Sequence, residues 1–185
     1  MIKLNIKLAT ITLLQGGVIA YPTEAVWGLG CDPWNKWAVM KLLAVKQRPM
    51  EKGLILVADS TQQFGPLFED LSAELKAILN NAGPAPTTWL IPDPKDRIPR
   101  WLKGSHSKIA IRISSHPPVR ELCQSFGSMI VSTSANESGE PEIRSRLKLV
   151  KSLGDKLDFI VPGQLGSELK TSTIKDLESG MMLRE

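Results

Sequence analysis

Short apolar runs rich in β-branched residues alternate along this chain with stretches whose apolar residues recur at helical spacing, which restricts the possible folds more than any other feature. After Gly16 and Gly17, "VIAYP" is a β-branched and aromatic run closed by Pro22 and reads as a buried strand. "NKWAVMKLLAVKQRP" then sets Trp37, Met40, Leu43 and Ala44 at helical spacing, with Asn35 as a possible cap and a stop before Pro49. "GLILVAD" is a second strand, after which Asp59 or Ser60 can cap a helix. "SAELKAILN" from Ser72 is helical and ends at the breaker-rich "NAGPAP". "TTWLIP", "SKIAIRIS" and "GSMIVST" are three further strands, with a proline-opened helix, "PPVRELCQSF", between the last two. A basic helix near Ile143 to Leu153, a strand at "LDFIVP" and short runs at "TSTIKDL" and "GMMLRE" follow. The alternation predicts one α/β domain over residues 1–185, a mixed twisted sheet flanked by helices.

Composition fits that reading. The chain has 185 residues, 42% hydrophobic and 23% charged, ordinary values for a soluble globular protein. A net charge of +4 permits a phosphate-bearing partner without demanding one. Cys31 and Cys123 lack the spacing of a zinc site or a disulfide framework and read as reduced thiols in a cytoplasmic protein. Lys3 and Lys7 interrupt "MIKLNIKLATITLLQGG", so the N-terminus reads as an amphipathic helix rather than a membrane span.

Open α/β sheets bind ligands beyond strand ends, and four such places hold reactive residue types. In "YPTEAVWGLG", Thr23 and Glu24 follow a strand, and Gly28 and Gly30 permit a tight turn; an ordinary polar strand exit has the same composition. In "KQRP", Lys46 and Arg48 leave a helix end together, either as cations suited to the helix dipole or as a point charge and a fork converging on a triphosphate. In "VSTSANESGEP", Ser132, Ser134 and Asn136 alternate, so in extended backbone they would line one wall; a turn satisfied by Ser and Asn is the alternative. Thr88 begins one strand, and Arg112 lies within another, where it serves a structural ion pair or a ligand.

No phosphate loop and no dinucleotide fingerprint are present, and His106 and His116 lack companions for a metal site or a triad. The same four places carry a resemblance. "YPTEAVWGLGCDP", "LLAVKQRP", "KGLILVA", "PAPTTWLIP", "VSTSANESGEP" and "TSTIKDLESGMMLR" together resemble the YrdC/TsaC family in its short bacterial form, from about Gly17 to Arg184.

That resemblance implies an α/β domain with a positively charged cleft. The implied activity joins L-threonine, bicarbonate or CO2, and ATP into threonylcarbamoyl-adenylate and pyrophosphate. Mg2+ would accompany ATP as part of the substrate, with no tightly bound protein-ligated metal. A downstream threonylcarbamoyl-transferase complex would act on tRNA. The family's Lys-x-Arg and Ser-x-Asn fall on Lys46, Arg48, Ser134 and Asn136 as catalytic and nucleotide-binding residues. By the same alignment Thr23, Ser132 and Ser172 would hold threonine, and Thr88 and Arg184 the nucleotide, with Arg112 a possible addition. Two departures stand out: Ala85 follows Gly83 and Pro84 where the family commonly has glycine, and Ala25 replaces a frequent Thr or Ser.

Two rival readings follow. One is a non-catalytic RNA-binding module, drawn from "PKDRIPRWLKGSHSKIAIR", where Lys95, Arg97, Arg100, Lys103, Lys108 and Arg112 face only Asp96 and Trp101 is available to stack on a base. The other is carbamoyl transfer of the hydrogenase-maturation type, found in much longer chains.

Overall fold

The computed structural model describes residues 2–81, 83 and 85–184. Nine strands form one mixed sheet in the order β7-β1-β2-β6-β3-β5-β4-β8-β9. They are β1 (Ile19–Pro22), β2 (Trp27–Gly30), β3 (Ile55–Ala58), β4 (Thr87–Pro92), β5 (Lys108–Ile113), β6 (Ile130–Ser134), β7 (Phe159–Ile160), β8 (Thr173–Asp176) and β9 (Met182–Arg184). The helices are α1 (Ile2–Leu14), α2 (Lys36–Val45), α3 (Pro66–Glu69), α4 (Ala73–Asn80), α5 (Arg100–Lys103), α6 (Pro117–Phe126) and α7 (Arg146–Leu153).

Alternation along the strands sorts side chains between two cores. Val18, Ala20, Leu56, Ile111 and Val131 join the larger core, which α2 closes with Val39 and Leu42. Ile19, Tyr21, Val57 and Ile130 point the other way, where α1 and α6 cover them with Leu13, Val119 and Leu122. On that second face the strand residues Ser132, Ile55, Ala110 and Leu90 are cross-strand neighbours, and so are Val57, Arg112, Thr88 and Ile174. β6 changes partner along its length: residues 130–132 pair with β3, and Thr133 and Ser134 pair with β2.

Four expectations need correction. "WGLG" is a strand, not a turn: a Cβ on Gly28 would lie 2.9 Å from the Thr23 methyl, and one on Gly30 2.7 Å from the Val131 carbonyl, so the glycines serve close packing around Tyr21. The turn lies earlier, where the Thr23 amide donates to the Val26 carbonyl at 3.1 Å. After β3 comes a 3-10 turn at Thr61–Phe64, and neither Asp59 nor Ser60 caps it through a side chain; the Asp59 carboxylate accepts from Gln124 instead. α1 turns Leu4, Leu8, Ile11 and Leu14 outward beside Lys3 and Lys7, so its exposed side is mixed rather than a polar face. The basic helix begins at Arg146, capped by the Ser145 hydroxyl, three residues later than expected. Asn35 and Ser72 do cap α2 and α4.

Candidate active site

A cavity of ≈ 690 Å³ lies over the second face of the sheet. Ile55, Leu90, Ala110 and Ile174 make an apolar floor, and the walls are polar. Six basic side chains line it against two acidic ones. Arg48, Lys52 and Lys170 are the three of these cations that form no ion pair with another described residue.

The β1–β2 turn supplies Thr23 and Glu24. The Thr23 hydroxyl donates to the Val26 carbonyl at 2.7 Å, which uses its only proton and leaves it an acceptor toward the cavity. The segment after β7 straps this turn down, with the Gly166 amide on the Thr23 carbonyl at 2.9 Å and the Glu168 amide on the Glu24 carbonyl at 3.1 Å.

α2 ends at Lys46 in a Schellman motif: the Gln47 amide donates to Ala44 at 3.1 Å and the Arg48 amide to Leu43 at 3.0 Å. The motif needs a left-handed residue, and Gln47 takes it at φ 48°. Arg48 thereby reaches the cavity, where its Nε and Nη2 donate to the Gly53 carbonyl at 3.3 and 2.9 Å and the Nη1 donors keep no partner among the described residues. Burial lowers its pKa. Lys46 turns elsewhere. Its ammonium, on a residue only 2% exposed, donates to the Ser134 carbonyl and, at 2.7 Å, to the Asn136 carbonyl. Burial first, and the Arg48 guanidinium second, lower the Lys46 pKa to about 8.

β6 presents Ser132 and Ser134 to the cavity, with Thr133 beside them. Asn136 lies past the strand end, outside the cavity lining, and its amide donates to the Glu137 and Glu140 carbonyls at 3.1 and 2.6 Å. The arrangement therefore differs from a single wall of Ser132, Ser134 and Asn136 and from a Lys46 and Arg48 that converge. Arg48 and Ser134 look into the cavity, whereas Lys46 and Asn136 stand behind it and brace the Ser134–Glu140 loop. The Ser138 amide, donating to the Lys46 carbonyl at 2.8 Å, closes the brace.

Thr88 is fully buried, outside the cavity lining, and shares a 2.7 Å hydrogen bond with Ser172, which does line it. Arg112 reaches the cavity from β5 and faces Glu24, Nη2 to Oε2, at 3.6 Å. Glu24 accepts from the Ser114 hydroxyl at 2.5 Å. Burial pushes its carboxyl upward, but Arg112 and Ser114 outweigh that and hold it below the ordinary value. Arg184 pairs through its backbone with Ile174; its side chain lies outside the described part of the structure, as does Pro84. Glu24 and Lys52 also line the cavity, although the sequence reading assigned neither a role; for Glu24 the position just after a strand was the available signal.

The basic stretch over residues 94–112 is largely neutralised within the chain. Lys95 and Arg97 pair with Asp70, Lys103 with Asp93 and Asp96, Lys108 with Asp176 and Glu178, and Arg112 with Glu24. Trp101 donates to the Pro33 carbonyl at 3.2 Å and lies under the Lys36 ammonium, 5.7 Å from its ring centre, so it is not a free stacking platform. Among the described residues no group of three or more His, Cys, Asp or Glu could hold a metal, and no helix is long and apolar enough to cross a membrane.

A threonylcarbamoyl-AMP synthase of Marinobacter nauticus is 49% identical over 181 residues, covering 98% of this chain and 95% of its own length. One of Pseudomonas aeruginosa is 50% identical over 170 residues, 92% of this chain and 91% of its own. The crystal structure of P. abyssi Sua5 complexed with L-threonine superposes with a TM-score of 0.89 at 27% identity, over 98% of this chain and 54% of that one. The Sua5/YciO/YrdC family model, described as "Telomere recombination", matches residues 12–185, which takes in each strand that lines the cavity, and this chain belongs to that family.

Proposed function

We propose that this chain is a threonylcarbamoyl-AMP synthase, which joins L-threonine, bicarbonate or CO2, and ATP into threonylcarbamoyl-adenylate and pyrophosphate. The observation that carries the reading is one cavity into which Thr23, Arg48, Ser132, Ser134 and Ser172 all open, in a chain of this family. The product would serve tRNA modification in the cytoplasm, through a downstream threonylcarbamoyl-transferase complex.

The chemistry needs positioning and positive charge more than a protein nucleophile. Threonine's ammonium and bicarbonate give the carbamate, one water and one proton. A carbamate oxygen then bonds to the α-phosphorus, and the bond to the bridging oxygen breaks, its electron pair leaving with pyrophosphate. Every phosphorylated species on that path is anionic. Arg48 meets it with the Nη1 donors, and Mg2+ enters with ATP as part of the substrate. Ser134 gives a neutral hydroxyl to a phosphate oxygen.

Lys46 acts from behind the wall. Two of its three N–H groups hold main-chain carbonyls, that of Ser134 among them, so it sets the Ser134 position and adds its charge to the wall from behind. Thr23, Ser132 and Ser172 hold the amino acid, with Thr88 setting the Ser172 hydroxyl and Arg112 offering its guanidinium to the carboxylate.

The test is to incubate the chain with ATP, L-threonine and bicarbonate and to measure pyrophosphate and the adenylate by mass. Formation of both, each requiring all three substrates, is expected. No product, together with tight and salt-steep RNA binding, would return the chain to the RNA-binding reading.

A further inference from the structure

Much of the apolar spacing that marks α2 as a helix in the sequence lies on a face it does not bury. Val39 and Leu42 turn into the larger core, whereas Trp37, Met40 and Ala44, spaced i, i+3 and i+7, share the opposite, solvent side. Trp37 is 83% exposed, and Trp34, just ahead of the helix, is 50% exposed. Single exposed apolar residues are ordinary, but two tryptophans and a methionine in one run form a patch, and a helix apolar on both faces calls for cover on both.

The charges around this face indicate what covers it. Lys36, and Arg100 on α5, which packs beside α2, are exposed and form no ion pair with another described residue. On the other flank Lys41 is paired with Asp158 at 2.7 Å, and the nearby Asp32 accepts from the Trp34 amide at 2.9 Å. A second copy of this chain would set Lys36 and Arg100 against the same cations. The exposed apolar residues of α1, Leu4, Leu8 and Ile11, lie beside Lys3 and Lys7, so they too would bring cations to cations. Like charges therefore oppose self-association through either face. An apolar ridge of a different protein, edged with Asp or Glu, complements the face in both respects.

The place of the face in the fold points to which protein. The stripe starts at Trp34 and runs toward the C-terminus of α2, where the Schellman motif swings Arg48 into the cavity. A protein lying along α2 thus reaches the cavity's edge. The adenylate is a mixed anhydride of a carbamic acid and a phosphate, which water destroys, so the enzyme that consumes it gains by docking there. We propose that the outer face of α2, centred on Trp37, docks the threonylcarbamoyl-transferase that consumes the adenylate, through an apolar, acid-edged segment of that protein; the choice of partner rests on the synthase reading above.

The experiment is calorimetric titration of the full chain with the purified transferase complex of the same organism, without tRNA. It compares wild type, Trp37→Ala, and a chain with both Lys36→Glu and Arg100→Glu. The wild-type chain should bind, and Trp37→Ala should bind about 10-fold or more weakly, as loss of a central tryptophan does at protein interfaces. The charge reversal should weaken binding more at low salt than at high salt. Adenylate formation by each chain alone should match wild type, because none of these residues lines the cavity, and this also verifies folding. A wild-type chain that does not bind the complex, or a Trp37→Ala chain that binds it as tightly, would overturn the proposal. So would a dimer in sedimentation, capture on phosphatidylserine vesicles or a gel shift of single-stranded RNA that depends on Trp37 in place of that binding. If adenylate still forms in those cases, the synthase reading stands and only the docking face falls; no adenylate from the wild-type chain would remove the reading and the partner together.

Discussion

The ammonium of Lys46 braces a loop and, in the proposed function, serves a site for anions, and the two roles respond to pH in opposite directions. Its folded pKa of about 8 lies below the ordinary lysine value, so between about 8 and about 10.5 the unfolded chain binds more protons. Stability should therefore rise with pH across that window, a rise that thermal melts of Lys46→Met will lack. ATP affinity should fall across the same window as the charge is lost, which a pH series of ATP titrations will show. Removal of either cation, in Lys46→Ala or Arg48→Ala, should lower kcat/KM for ATP by about 10²-fold or more, measured by pyrophosphate release. Lys46→Ala should also melt lower than Arg48→Ala, because it leaves the Ser134 and Asn136 carbonyls without their donor. That Lys46, Arg48, Ser134 and Asn136 lie close to one another was legible in the sequence from spacing and resemblance. Their division into cavity and brace was not, because the Lys46 contacts join residues 88 and 90 positions apart.

Among the elements, the end of α2 carries strain at a single residue. Gln47 occupies the left-handed position of the Schellman motif that glycine takes at least cost. Gln47→Gly should stabilise the chain by about 0.5–1 kcal/mol, the relieved strain less the added flexibility of the unfolded state, and raise Tm by a few degrees in a thermal melt. At β2 the sign reverses. Gly30→Ala would set a methyl against the Val131 carbonyl and the Tyr21 ring, and should cost about 1–3 kcal/mol by denaturant unfolding. That strand escaped the sequence reading because "WGLG" has the composition of a turn, while its glycines answer to a side chain on the neighbouring strand. β3 to β6 were readable because each is a β-branched or aromatic run with its own stop signal. α1 was misread in character: Lys3 and Lys7 suggested a polar face, yet Leu4, Leu8, Ile11 and Leu14 flank them on the outside.

Across the whole molecule, charge is settled between distant segments. The stretch that suggested RNA binding holds Lys103 against Asp93 and Asp96 close by in sequence, but its other cations against Asp70, Asp176 and Glu24, acids on other elements that no local window contains. An Asp70→Asn variant should consequently bind polyanions more tightly than the wild-type chain at low salt, by gel shift, and the difference should vanish as salt rises.

The sheet order has one more consequence. β8 comes late in the chain, yet it lies beside β4 and brings Ile174 to the cavity floor, with Ser172 just ahead of it. During translation the earlier strands can pair and bury their cores while the cavity still lacks this side. A nascent chain on the ribosome is thus an incomplete container, whose cavity gains this wall only once residues 172–174 have emerged.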